Sequence, residues 1–329
     1  MKILRTKLSA TYRAVFGSRN AQRARRLSLA SHARPRAGLE EFFSSCEDKS
    51  GFSGIASMTA YERRPVFVFS AGWRSGSTLL QRLISSGEKT LLWGEPYDRC
   101  AFVQAFSSSL SAFSSDWPPK DYTIDETLDF DALARGWTAN LYPELPYLKA
   151  GLRAFMLQTF AAPARARGAE RWGLKEVRFG LSEAVLLKHL FPEASFLFIH
   201  RDLEEAYVSY CNFSPARAWF SRWPFETAFT PYGFARHWAR LRGEFELAAE
   251  VTKGFAIKYE DLVTGGVDLD ELGKYCGTVI DKDILKVRTG SGIYSGRSED
   301  LSLAERLGLK WGRVSGSRLV YRQYGVSVV

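Results

Sequence analysis

The chain has 329 residues, 46% of them hydrophobic, four cysteines and a formal net charge of +9, enough apolar material for one large α/β domain or two smaller ones. No apolar stretch approaches the roughly 20 residues that a membrane-spanning helix needs. Cys46, Cys100, Cys211 and Cys276 stand far apart without a CxxC pair, which excludes a cysteine-built metal cluster and favours a reducing compartment.

The charge is concentrated at one end. Residues 1–36 hold ten Lys/Arg and no acid; subtracting them from the chain's 45 basic and 36 acidic residues leaves 35 and 36. Leu4, Leu8, Tyr12, Val15 and Phe16 fall near one helical face. Such an arm either lies on an anionic membrane surface or remains a solvated extension. The near-neutral body offers no second basic patch, so nucleic acid is not an expected partner. The triplet Asn212-Phe-Ser214, followed by Pro215, is weak evidence of secretion; the expected location is cytoplasmic, with peripheral membrane contact through the arm left open.

Residues 37–64 are polar and Gly/Ser-rich and read as a linker with a short helix around Leu39 to Phe43. The expected organisation is therefore an arm and linker over residues 1–60 and a catalytic body over 61–329, without internal repeats. In the body, Val66 to Phe69, Thr90 to Trp93, Arg171 to Lys175, Ser195 to His200 and Gly254 to Tyr259 predict strands. Helical spacing runs through Ser77 to Ile84, Ala101 to Phe113, Tyr147 to Phe160, Leu181 to Phe191, Leu203 to Cys211 and Phe234 to Val251. Strands alternating with long helices imply parallel βαβ units, and strands apolar on both faces imply a sheet covered on both sides. The expected fold is an α/β three-layer sandwich around a central, mostly parallel sheet of about five strands. Trp117 to Tyr122 and Pro224 to Pro231 read as irregular segments able to rim a cleft.

Between the first strand and its helix lies a glycine-bearing turn, Ser70 to Gly76. Strand, tight turn and helix start aim several backbone N–H groups and a helix dipole at one anion. In nucleotide triphosphatases with this loop a lysine precedes the Ser/Thr and reaches the β- and γ-phosphates. Here Ser77 holds that place and the positive charge is Arg74, so the loop suits a phosphate other than the γ-phosphate of ATP. Ligands of open parallel sheets bind beyond the C-terminal strand ends. Those ends carry Gly94-Glu-Pro96, Lys175-Glu-Val-Arg178, His200-Arg-Asp202 with Ser209 two turns on, and Lys258-Tyr-Glu-Asp-Leu262. Cations and hydroxyls gather there beside one well-placed carboxylate.

These residues resemble the sulfotransferases that use 3′-phosphoadenosine 5′-phosphosulfate (PAPS), in the branch of protein-tyrosine and bacterial carbohydrate sulfotransferases. Arg74-Ser-Gly-Ser-Thr-Leu-Leu80 is similar to the family's 5′-phosphosulfate loop. Phe198 to Ser209 is similar to its 3′-phosphate motif, an arginine at a strand end and a serine eight residues later. Lys175 to Arg178 and Lys258 to Leu262 resemble a middle and a later motif. The match keeps the family's order from Val66 to Leu262, more than half of the chain.

The resemblance implies a P-loop-like fold, PAPS as donor, the bisphosphate PAP as product and no metal. Arg74, permanently charged and forked, would neutralise charge developing on the leaving oxygen, with Lys175 as a second cation on that oxygen and the sulfuryl group. Ser75, Gly76, Ser77, Thr78 and Leu79 would cradle the 5′-phosphate, Arg201 and Ser209 would hold the 3′-phosphate, and Tyr259 would be a further nucleotide contact. The acceptor hydroxyl needs a general base. None of His32, His189, His200 and His237 occupies an obvious acceptor position, while Glu95, 21 residues after Arg74, matches the glutamate base of the protein-tyrosine branch.

Each residue also has a plain structural reading. Arg74 can pair with a nearby acid, Glu95 can cap a helix, Lys175 can pair with Glu176 or Asp202, Arg201-Asp202 can be a helix-start ion pair, and Ser209 can be a small packing residue. A P-loop kinase using ATP and magnesium, and a sulfotransferase-fold scaffold that has lost catalysis, are the rival classes. The glutamate base favours a glycan, glycolipid or peptide tyrosine over a small phenol as acceptor, by resemblance. A glycine-rich basic loop, Thr289 to Ser298, with Arg297 its best contact, could fold over the nucleotide or be a plain surface loop.

Overall fold

The computed structural model describes residues 35–46, 58–87, 89–95, 97, 100–114, 130–135, 141–212, 230–286 and 298–325. In chain order these form α1 (Pro35–Ser45), α2 (Ala60–Arg63), β1 (Val66–Ser70), α3 (Ser77–Ser85), β2 (Thr90–Trp93), α4 (Phe102–Leu110), α5 (Phe130–Arg135) and α6 (Leu145–Met156). A π-turn, Leu157–Ala161, then leads into α7 (Ala162–Arg165). There follow β3 (Arg171–Glu176), α8 (Leu181–Leu190), β4 (Ser195–His200), α9 (Leu203–Asn212), α10 (Pro231–Thr252), β5 (Phe255–Lys258), α11 (Tyr259–Thr264), α12 (Leu269–Cys276) and α13 (Leu303–Tyr324).

The five strands make one sheet in the order β2-β3-β1-β4-β5, every pair parallel. The alternation of side chains along a strand sorts the core by chemistry. Phe67 and Phe69 of β1, with Phe196 and Phe198 of β4, face a large aromatic core. Val66 and Val68, with Leu197 and Ile199, face a smaller aliphatic core with α3 and α12. Helices thus cover both faces, as the two-sided apolar strands imply. Phe69 is in ring contact with Phe179, Phe196, Phe198 and Phe245. Truncating such a fully buried phenylalanine costs about 3–5 kcal/mol.

Several elements differ from the sequence expectation. The segment read as a linker helix is α1, which sends Leu39, Phe42 and Phe43 into the aromatic core. Pro231, read as part of an irregular stretch, opens α10 instead. Thr230 caps that helix, accepting from Gly233 N at 3.0 Å, and a proline is well placed where no N–H is needed. Tyr259, read as a strand end, starts α11. The C-terminal α13 had no sequence counterpart. Its Gly308, Gly312 and Gly316 are poor helix formers, yet they let its backbone pack against Tyr232, Ala235 and Ala239 of α10. Residues 1–34 and 287–297, with the arm and Arg297, lie outside the described residues.

Candidate functional site

Beyond the C-terminal end of β1 the loop Ala71–Gly76 turns through three left-handed residues: Gly72 (φ 77°), Arg74 (φ 64°) and Gly76 (φ 91°). Its serines work inward. Ser70 Oγ donates to the Gly72 carbonyl and Ser75 Oγ to that of Ala71, both at 2.9 Å. Ser75 is fully buried, so its remaining contribution to a ligand is its backbone N–H. Gly76 caps α3 without a side chain. The first-turn N–H groups of Ser77, Thr78 and Leu79 are thus left as donors by helix geometry, with the dipole favouring an anion. The Ser77 side chain is buried, Thr78 is exposed, and Leu79 packs against the aliphatic core.

Two aromatic side chains brace this loop. A Cβ on Gly76 would lie 2.2 Å from Tyr259 Cδ2, so the tyrosine ring rests on the glycine. A Cβ on Gly72 would lie 3.3 Å from the His237 ring, whose Nε2 stands 3.3 Å from the Val177 carbonyl.

On one side of the loop, Lys175 Nζ meets Glu95 Oε1 at 2.5 Å. This ammonium comes from β3, which pairs directly with β1. Burial pushes the Glu95 carboxyl above its ordinary range, while Lys175 pulls the other way. Glu176 is not the partner of Lys175. Its carboxylate takes Arg178 Nη2 at 2.6 Å and Nε at 2.9 Å, and the Val177 N–H at 2.9 Å. That pair is buried and holds the chain leaving β3.

On the other side, the Arg201 guanidinium lies over the Tyr259 ring at 4.8 Å and reaches Glu205 at 3.2 Å. Its Nε is buried without a partner among the described residues, an arrangement that calls for an acceptor. Asp202 is a helix cap: its Oδ1 accepts from Glu204 N and Glu205 N at 2.9 and 3.1 Å. Ser209 is buried and accepts from Arg74 Nε at 3.1 Å. The Arg74 loop and the Arg201-to-Ser209 segment therefore touch directly, which neither spacing alone implied.

Two positioning residues escaped the sequence reading. Trp238 Nε1 donates to the Arg201 carbonyl at 3.1 Å, and Glu260 accepts the Asp202 N–H at 3.1 Å. Both fix the strand end carrying Arg201. Glu260 stood in the quoted Lys258–Leu262 motif without a role, while Trp238 looked like any apolar helix position. His189 stacks on Phe43, away from these pairs. His200 is held neutral by burial and by Arg242, its pKa lowered to about 4. None of the three described histidines pairs with Glu95 or Lys175. Of the rim segments read from sequence, Trp117 to Tyr122 and all of Pro224 to Pro231 before Thr230 lie outside the described residues.

The fold and the site define a parallel α/β protein with a glycine-bearing loop between a central strand and its helix, flanked by cations from neighbouring strands and the half-buried carboxylate of Glu95. The family model described as "Sulfotransferase family" matches residues 65–268, so the chain belongs to the sulfotransferase family. Among solved structures it is similar to the sulfotransferase domain from the Synechococcus PCC 7002 olefin synthase, at 17% identity and a TM-score of 0.37, over 81% of this chain and 97% of that one. No curated protein matches.

Proposed function

We propose that the protein transfers the sulfuryl group of PAPS to a hydroxyl of a carbohydrate or a peptide tyrosine, with Glu95 as general base. The observation that carries this reading is the pair of buried Lys175 with half-buried Glu95 at the same sheet edge as the Arg74–Ser209 contact. The residues fit the donor. Orphan N–H groups at the start of α3 suit a 5′-phosphate, and the unpartnered Nε of Arg201 suits a 3′-phosphate. PAPS would supply the activated sulfuryl group.

In the transfer the acceptor oxygen bonds to sulfur as the bond from sulfur to the phosphate oxygen breaks. The acceptor proton goes to Glu95, and the departing electron pair stays on the phosphate. Glu95 is suited to receive that proton because burial raises its proton affinity. Lys175 holds the Glu95 carboxylate in place and brings a cation to the reacting end of the donor, and Arg74 brings a second.

The test is transfer of labelled sulfate from PAPS to a panel of glycans and tyrosine peptides. Glu95→Gln should lower turnover by about 10²–10⁴-fold, the usual contribution of a general base, while stabilisation by adenosine 3′,5′-bisphosphate is retained. Unchanged turnover removes Glu95 as base. Thermal stabilisation by ATP with magnesium, and none by the bisphosphate, overturns the donor.

A further inference from the structure

The outer face of α13 carries exposed Leu303, Leu307, Trp311, Val314 and Tyr321. Their spacing of three, four and seven residues puts them on one stripe of the helix. The opposite face, Gly308, Leu309, Gly312, Gly316 and Val320, is buried. Trp311 is 59% exposed and Leu303 75%, and a continuous apolar stripe of this kind marks an interaction surface.

The charges around the stripe identify what meets it. Lys310, Arg313, Arg318 and Arg322 flank it, all exposed, and none has an ion-pair partner among the described residues. The one acid of the helix, Glu305, is taken up by the N-cap, accepting from Ser302 N and Oγ. A second copy of this face would set cations against cations, which disfavours self-association. The arm at residues 1–36 is equally basic, with ten Lys/Arg and no acid, so its charge does not complement this face. Leucine, tryptophan and tyrosine bordered by Lys/Arg is the composition of a helix lying in the headgroup layer of an anionic bilayer.

We infer that the outer face of α13 docks the protein on an anionic membrane surface. Its apolar stripe enters the headgroup boundary and its four free cations meet the lipid phosphates. This does not depend on the sulfuryl-transfer reading. Among the described residues no helix is long and apolar enough to cross a membrane, and the contact proposed is peripheral.

Co-sedimentation of the full chain with vesicles of equimolar phosphatidylglycerol and phosphatidylcholine, against phosphatidylcholine alone, tests it. The wild type should partition onto the anionic vesicles. Each basic side chain near such a surface is worth roughly five-fold, so Arg313→Gln with Arg318→Gln should weaken partitioning about 25-fold. Leu307→Ser with Trp311→Ser should weaken it by about ten-fold or more. Both pairs should keep the wild-type melting temperature. Wild type that ignores the vesicles overturns the inference, as does variant partitioning equal to wild type, which would place the contact in the arm. Retention on immobilised polyglutamate without vesicle binding gives the face to an acidic protein. Light scattering that shows a dimer split by the Leu307/Trp311 pair, with vesicle binding unchanged, gives it to a second copy; either result also overturns it.

Discussion

Replacing Gly76 by alanine should damage the loop around Arg74 by a predictable amount. At φ 91° the new side chain sits in left-handed backbone, a strain of about 1–2 kcal/mol. Its Cβ would stand 2.2 Å from Tyr259 Cδ2, 2.9 Å from Cε2 and 3.1 Å from Cγ, so the ring must move. Moving it breaks the contact with the Arg201 guanidinium, worth about 0.5–2 kcal/mol. The sum is about 2–4 kcal/mol. With a urea m value of about 3 kcal/mol/M, the unfolding midpoint should fall by about 1 M.

Gly94→Ala is the internal control. There the nearest atom is Gln81 Nε2 at 3.9 Å, and the exposed site should change stability by no more than about 0.5 kcal/mol. In a Tyr259→Ala background the cost of Gly76→Ala should shrink to the backbone strain, leaving a coupling of about 1–2 kcal/mol. A Gly76→Ala cost below about 1 kcal/mol, or one that ignores residue 259, would refute the reasoning from ring contact and left-handed φ.

Three further outcomes are expected. Lys175→Met removes the cation that opposes burial at Glu95, so the acid limb of kcat/KM should move to higher pH; an unmoved limb contradicts the pairing. Arg201→Ala should weaken adenosine 3′,5′-bisphosphate by roughly 10–100-fold, the value of a charge-assisted contact, and adenosine 5′-monophosphate hardly at all. Equal losses by calorimetry would remove Arg201 from the 3′-phosphate. Folding raises the Glu95 carboxyl above its ordinary 4.5. Its contribution to stability is therefore fully present below that value and is lost as pH rises through the folded value. Urea midpoints of Glu95→Gln, compared with wild type across that window, should lack this decline.

Much of the frame was legible because it is local. Five apolar runs, the loop around Arg74 and the eight-residue step from Arg201 to Ser209 are patterns within short windows. The pairings inside the site are not. Lys175 had Glu176 and Asp202 as nearer neighbours in sequence, yet it takes Glu95 from just beyond β2, because Arg178 already pairs with Glu176. Arg74 and Ser209 meet across 135 positions, and no periodicity encodes that. Helix α13 was missed for a third reason: its glycines serve close packing on α10, while the propensity they carry argues against a helix.

The place of β1 at the middle of the sheet has a consequence for biosynthesis. Val66 pairs with Gly173 on one side and Ser195 on the other, so the strand leading into the Arg74 loop waits for partners made much later. Long-range parallel pairing forms slowly because chain closure precedes its reward. On the ribosome the loop has neither neighbour until β3 and β4 have emerged. A nascent chain halted before β4 should therefore lack a formed loop site and be rich in uncovered phenylalanine, the stretch of synthesis in which a holding chaperone has most to protect.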